Sequence, residues 1–395
     1  MDSQGRYVRR GVSSAKEDVH RAVAALDKGL FPTAFCRILP DALGGDERAA
    51  LVLHADGAGT KSIVAYLLWR ETGDPAHFAG IAQDAAVMNI DDMLCVGATG
   101  PFVLSSTIGR NKSLVGGEVV GAVINGFHAF AARLGALGIE LVIGGGETAD
   151  MGDLVRTIAV DATCAARLRR DEVIDNANIR PGDLIVALSG TGAATYEDKE
   201  NSGIGSNGLT SARHDLLNRA YAARYPETWA PSTPESLVYS GSFGLGDPLP
   251  GTALSIGEAL ASPTRTYAPI IREVLERGRR LVHGLVHCTG GGQTKCLRFG
   301  GEVRYVKDNP FPVPPLFRLI HAESGSSWRE LHEVFNMGHR LEVFACEEGA
   351  ALVEEAAARF SVEARRIGRV ERAGGRRELI IAGPEGTLAW ERGLP

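Results

Sequence analysis

The sequence predicts an α/β protein with α+β character, two α/β domains flanking a cleft. Three observations predict it. Short apolar runs of strand length alternate with amphipathic stretches of helix length along the chain. Each half holds a strand that empties into a glycine-rich polar loop. Between the halves, residues 167–183 carry charge, Asn and Pro and read as a crossing between domains, placed at 1–168 and 169–395.

A first helix is expected over 13–29, capped by Ser13 or Ser14, with Val19, Ala22, Val23 and Leu26 at helical spacing. Leu51–Ala55 is a strand stopping at Asp56-Gly57. Helices follow at about 61–71 and 78–96, then a strand from Phe102 and a long helix over 116–137. Leu141–Ile143 is a strand that ends in the loop Gly144-Gly145-Gly146-Glu147-Thr148, and 155–164 alternates as a fourth strand. Leu184–Leu188 opens the second α/β unit, whose long loops at 189–207, 224–252 and 300–330 are rich in Gly, Pro and Ser. Strand-like 340–345, a helix over 348–360 and a strand at 378–381 close it.

The chain has 395 residues, 42 Lys plus Arg against 48 Asp plus Glu, and a net charge of −6, which speaks against nucleic acid as a partner. Phosphates must then be handled locally, by metal ions, backbone N–H groups and a few cations. Six dispersed cysteines lack C-x-x-C spacing and read as reduced core residues. The first residues hold no apolar signal region and no stretch reads as long enough to span a bilayer, so a cytoplasmic protein without a membrane is expected.

The sharpest motif is Asp56-Gly57-Ala58-Gly59-Thr60-Lys61-Ser62. A carboxylate at a strand end, two glycines, a hydroxyl and a lysine at a helix start suit a metal–polyphosphate site, with N–H groups approaching phosphate and Asp56 holding Mg²⁺. It is not a Walker A loop, because Thr60 stands where glycine precedes the lysine. The plain alternative is a tight turn with a surface lysine.

A second feature is the helix bearing Asp84, Asp91 and Asp92. At about 100° per residue, Asp84 and Asp91 differ by about 20° and Asp92 by about 80°. A solvated acidic face is the ordinary reading, but the apolar surroundings make unpaired charge there expensive. Glu147 and Thr148 follow the third strand, and the three carboxylate-bearing elements together resemble an oxygen-ligand site for Mg²⁺ on ATP phosphates. In the second half, Gly205-Ser206-Asn207-Gly208 precedes a helix and Thr289-Gly290-Gly291-Gly292 follows a strand. Either could cradle an anion or be only a cap or turn. His287 reads as a core histidine, and no set argues for a hydrolase triad.

In this order, the motifs resemble the aminoimidazole ribonucleotide synthetase family, also called phosphoribosylformylglycinamidine cyclo-ligases, in a divergent bacterial form. The resemblance runs from Tyr7…Gly11-Val12 through D-G-x-G-T-K at 56–61, the aspartates at 84 and 92 and G-G-E-T-A at 145–149. It continues through P-G-D at 181–183, S-N-G at 206–208, S-P-T-R-x-Y at 262–267, T-G-G-G at 289–292 and F-N-x-G at 335–338. It implies ATP-dependent closure of an imidazole ring on a phosphoribosyl substrate, with Mg²⁺, and leaves open a monovalent cation. It also implies a homodimer whose N-terminal sheets form a dimer barrel.

By resemblance, Asp56, Asp92 and Glu147 hold metal or its waters, with Asp84 in support. Gly57, Gly59, Thr60 and Lys61 handle phosphates, and Lys61, Asp56 and Asp92 carry the catalysis. Thr148, Ser206, Asn207, Gly208, Thr289, Gly290, Gly291, Gly292 and Asn336 complete the nucleotide and substrate contacts. Two departures stand out. Gly205 occupies the place where the family often has His, and residues 29–46 lack the family's G-G-F-G loop. The alternatives are a superfamily kinase, such as thiamine-monophosphate kinase, and a non-catalytic nucleotide-sensing paralogue.

Overall fold

The computed structural model describes residues 5–13 and 17–394. The expected first helix shortens to Glu17–Val23, and the Ser14 cap lies outside the described residues. Five strands build the first sheet: β1 (Ile38–Pro40), β2 (Ala49–Gly57), β3 (Phe102–Arg110), β4 (Leu141–Asp150) and β5 (Ile158–Arg169). Their order is β1-β2-β5-β3-β4, with only β3 and β4 parallel. Alternation decides the faces. Ile158, Val160, Ala162, Cys164, Ala166 and Leu168 of β5 are all buried, and they pair with Val52, His54 and Asp56 of β2 and with Phe102, Leu104 and Ile108 of β3. One face is therefore core and the other open.

Two helices cover the core face. Ala79–Leu94 is buried almost all round. Gly117–Ala136 packs on it where Gly126 brings the two backbones together: a Cβ there would lie 2.9 Å from both Ala79 Cα and Ala82 Cβ. That second helix is, by length and composition, apolar enough to cross a membrane, contrary to the expectation that no stretch would be. Here its buried residues Val119, Val123, Phe127, Phe130 and Leu134 form one stripe, the pattern of an amphipathic helix against a core.

The second sheet uses β6 (Leu184–Ser189), β9 (Val282–His287), β10 (Val303–Lys307), β11 (His339–Ala345), β12 (Ala364–Arg372), β13 (Arg376–Gly383) and β14 (Gly386–Gly393). Its order is β14-β13-β10-β12-β6-β11-β9, and β7 (Thr191–Gly192) pairs with β8 (Asn201–Ser202) in a separate ribbon. The architecture is thus mixed α/β with two sheets.

Two expectations need correction. The N-terminal sheet does not form a barrel: it is open, with β1 and β4 as its outer strands and no pairing between them. The glycines at 144–146 do not end a strand either. β4 runs on through Glu147 to Asp150, because β3 extends beside it and supplies ladder partners from Ser106 to Arg110 after one register shift.

Candidate functional site

The helix Ala79–Leu94 carries all three suspected aspartates, and each reaches across to the second half of the chain. Asp84 is fully buried. Its Oδ1 accepts from Lys61 Nζ at 2.8 Å, from Thr264 N at 2.7 Å and from Thr264 Oγ1 at 2.5 Å. Thr264 Oγ1 meets Ser206 Oγ at 2.9 Å, so the chain of contacts reaches the Ser-Asn-Gly loop. Asp91 takes Thr266 Oγ1 at 2.7 Å, the Tyr267 N–H and Arg340 Nη2 at 3.0 Å. Burial pushes the Asp91 carboxyl up against the pull of Arg340. Asp92 lies between two imidazoles, with His287 Nδ1 2.5 Å from Oδ1 and His54 Nε2 3.3 Å from Oδ2.

That last trio sorts its protons by environment. Burial alone would raise Asp92, but the hydrogen bonds from His287 and His54 overcome it and hold the carboxyl below the usual range. Burial outweighs the attraction of Asp92 at His287, lowering its pKa, so that ring is neutral and donates from Nδ1. His54 is also desolvated, yet Asp92 and the Asn89 amide raise it to about 8. Protonated, it donates to Asn89 Oδ1 at 3.1 Å and to Asp92. Asn89 in turn donates to the carbonyl of Asp56 at 3.1 Å, which fixes the end of β2 against the helix.

Lys61 is the sharpest departure from expectation. It is a fully buried side chain, not a phosphate-facing one, bound to Asp84 and to the Ser262 carbonyl, and burial lowers its pKa. The loop before it is a tight turn. Gly57 has no room for a Cβ, which would sit 1.8 Å from Asp161 Oδ1. Gly59 has φ +56°, and the helix Lys61–Thr72 starts with no side-chain cap. Thr60 Oγ1 lies 2.9 Å from Thr210 Oγ1, another tie between the halves.

Glu147 does not join this cluster, and Thr148 pairs with Ile108 in the next row. The row Gly57–Asp161–Thr107–Glu147 crosses the sheet on its open face, whereas Asp56, in the next row beside buried Ala162, faces the core. Glu147 is therefore on the opposite face, roughly 14 Å away at three strand spacings. The structure brings Asp56, Lys61, Asp84 and Asp92 to one helix–sheet junction and leaves Glu147 outside it.

In the second half, Gly208 has φ +78°, and a Cβ on it would press 2.3 Å from the Phe335 ring. Asn207 Oδ1 is buried without a partner among the described residues. Asn336 is spent on structure: its Nδ2 donates to the carbonyls of Gly203 and Ile204, and its Oδ1 accepts from the Gly338 N–H. Thr289 to Gly292 form a turn closed by Gly292 N to Thr289 O at 2.8 Å. Beyond the turn opens a cleft of about 660 Å³ whose lining mixes Arg21, Arg298 and Arg392 with Glu17, Glu333 and Glu391. Sequence reasoning missed the roles of Asp91, His54, Thr264, Thr266 and Arg340. Asp91 shares the helix quadrant of Asp84, and the two threonines stand in the S-P-T-R-x-Y motif, so a signal existed for those three.

Comparison with known proteins follows this geometry. The family descriptions "AIR synthase related protein, N-terminal domain" and "AIR synthase related protein, C-terminal domain" match residues 36–168 and 180–380. The chain is 31% identical over 289 residues to the phosphoribosylformylglycinamidine cyclo-ligase of Methanothermobacter thermautotrophicus, covering 73% of this chain and 71% of that protein. It is 30% identical over 321 residues to that of Methanocaldococcus jannaschii, covering 81% and 78%. These relatives are archaeal, which corrects the expectation of a bacterial form. Among solved structures, Thermotoga maritima PurL complexed with FGAR superposes with TM-score 0.54 at 16% identity, over 96% of this chain and 50% of that one. The chain thus spans about half the length of those PurL chains. A chain of a HypE–HypF complex superposes with TM-score 0.55 at 16% identity, over 96% and 100%. These likenesses show the fold.

Two outcomes follow from the buried pairs. Lys61→Met leaves Asp84 buried beside an apolar chain and is expected to destabilise the fold by about 3–5 kcal/mol. Lys61→Met with Asp84→Asn, which removes the charge but keeps an oxygen for Thr264, should recover most of that loss in urea unfolding; a fully stable single variant would contradict the pairing. His54 has a raised pKa, so the folded protein holds its proton more tightly than the unfolded chain. Its stabilisation is complete below pH 6.5 and is lost as pH climbs through about 8. The urea midpoint should fall between pH 6 and pH 9 more in the wild type than in His54→Gln, and equal falls would refute the assignment.

Proposed function

The chain belongs to the AIR synthase related family, and from that membership we infer that it closes the imidazole ring of aminoimidazole ribonucleotide, using ATP. It is an ATP-dependent cyclo-ligase of purine biosynthesis acting on formylglycinamidine ribonucleotide. The substrate's amide oxygen attacks the γ-phosphorus of ATP and ADP departs. A nitrogen of the substrate then attacks the activated carbon, the five-membered ring closes and phosphate leaves. The observation that carries this reading is the match to both family domains over most of the chain. The buried seam along the helix Ala79–Leu94 supports it, because Asp56, Thr60 and Ser206 are all tied to its members or to the facing half, through Asn89, Thr210 and Thr264.

The residues suit ATP and Mg²⁺ in part. Asp84 Oδ2 is a buried carboxylate oxygen with no donor among the described residues, which fits a hard cation or the water it carries. Asp56 stands at the strand end. Glu147 does not fit within one chain, and Asp92 already has imidazoles at both oxygens. When bound, Mg²⁺ neutralises the charge of the triphosphate. The chain's own share is different. The uncapped N-terminus of Lys61–Thr72, with Gly57, Gly59 and Thr60, offers N–H groups to phosphate. Lys61 positions Asp84, and Asp92 orients the neutral His287 ring. The backbone N–H groups of the Thr289–Gly292 turn receive the phosphoribosyl group.

The division at 168/169 separates the nucleotide-binding half from the substrate half, and the enzyme acts in the cytoplasm. Two copies associate through the open face of the first sheet. Leu53, Ala165, Val103 and Val142 form one row across it in register, and Leu53, Val103 and Val142 are 57%, 49% and 43% exposed. Light scattering should give twice the chain mass, falling to one chain in Leu53→Asp; a monomeric wild type would dismiss the association.

The deciding assay measures ADP release from Mg²⁺-ATP with and without formylglycinamidine ribonucleotide. Stimulation by that substrate is expected. Stimulation by thiamine monophosphate instead would favour a kinase, and tight ATP binding without turnover would favour a nucleotide sensor.

A further inference from the structure

Arg340 lies at the start of β11 and is almost completely buried. Three contacts fix its guanidinium. Nη2 donates to Asp91 Oδ2 at 3.0 Å and to the Arg265 carbonyl, and the group stacks 5.1 Å from the centre of the Tyr267 ring. The opposite nitrogen, Nη1, is buried and has no partner among the described residues. A buried guanidinium N–H without an acceptor is costly, and so rigidly held a group cannot turn away to find one.

The surroundings say what the missing acceptor is. Asp91 offsets the charge of Arg340 from one side only. The arginine's stem packs against Gly205, which leads into the Ser206–Gly208 loop. Gly205 has φ +69°, and a Cβ on it would lie 3.1 Å from Arg340 Cδ. Glycine at 205 thus leaves the room that the arginine stem fills, at the position where the resembling family often has His. Arg340 is held to this seam by Asp91, which stands on the same helix as Asp84 and Asp92.

We propose that Arg340 is an anion-binding residue of this site, whose Nη1 donates to a phosphoryl oxygen, with Gly205 as the residue that admits it. This rests on the ATP-dependent reading above. Two sources share that chemistry, the nucleotide and the phosphate of the ribonucleotide substrate. Planar, preorganised guanidinium suits either better than a lysine would.

Removing Arg340 alone would strand Asp91, so the test pairs Arg340→Met with Asp91→Asn and uses Asp91→Asn as its reference. The double variant is expected to fold, by unfolding midpoint, yet lose at least 100-fold in kcat/KM. A raised KM for ATP identifies the nucleotide as the source, and a raised KM for the ribonucleotide identifies the substrate. Rates within threefold of the reference overturn the proposal. A wild-type structure with a nonhydrolysable ATP analogue and formylglycinamidine ribonucleotide tests it without substitution. A phosphoryl oxygen within about 3.2 Å of Nη1 is expected; Nη1 facing only water or protein there overturns it. If the wild type shows no substrate-dependent ADP release, the functional reading fails, while a phosphoryl oxygen on Nη1 in the analogue complex still upholds the anion site.

Discussion

Three carboxylates on one buried helix set the geometry of this molecule. Asp84, Asp91 and Asp92 sit on Ala79–Leu94 among alanines, isoleucines and methionines, where a lone charge would be intolerable. Each is answered from the second half: by Thr264, by Arg340 and Thr266, and by His287. Lys61 and His54 answer from the first half. Replacing any one partner leaves a buried charge, so the seam tolerates little sliding between the two sheets. The loops bearing chemistry are attached directly to its members. Asp56 is held through Asn89, Thr60 through Thr210, and Ser206 through Thr264.

This arrangement separates two jobs that the sequence runs together. In D-G-x-G-T-K, the lysine looks like the charged end of a phosphate grip. Its ammonium instead serves the scaffold, bound to Asp84 and the Ser262 carbonyl, while Gly59 shapes the turn before an uncapped helix N-terminus. The same division runs through F-N-x-G: Asn336 holds the Gly203–Ile204 backbone, and Arg340, two residues past the final glycine, carries the unanswered donor.

Much of the fold was legible because it rests on periodicity. The alternation in β5 separates the two faces of the first sheet, and the apolar run from Ala79 to Leu94 marks a helix on its core face. The misjudgement of β4 came from reading Gly144–Gly146 as a breaker. Glycine weakens a strand, but a neighbouring strand with free ladder groups overrides it, as β3 does here. The barrel expectation came from resemblance, and a single chain shows an open sheet. At the site, residue types pointed to the right neighbourhood and the wrong partners. A wheel places three aspartates in one quadrant but cannot say that imidazoles, a lysine and an arginine wait opposite, since those arrive from positions up to 249 residues away. Glu147 was misplaced for a simpler reason: one step of register on a strand moves a side chain to the other face.

If the aspartate seam welds the sheets, they must open together. Native-state hydrogen exchange in sub-denaturing urea reads this directly. The account predicts that core amides of β5, β6 and β11 and of the helix Ala79–Leu94 exchange through one opening of common free energy. A second sheet that opens at distinctly lower free energy, while β5 and the helix stay protected, would contradict it.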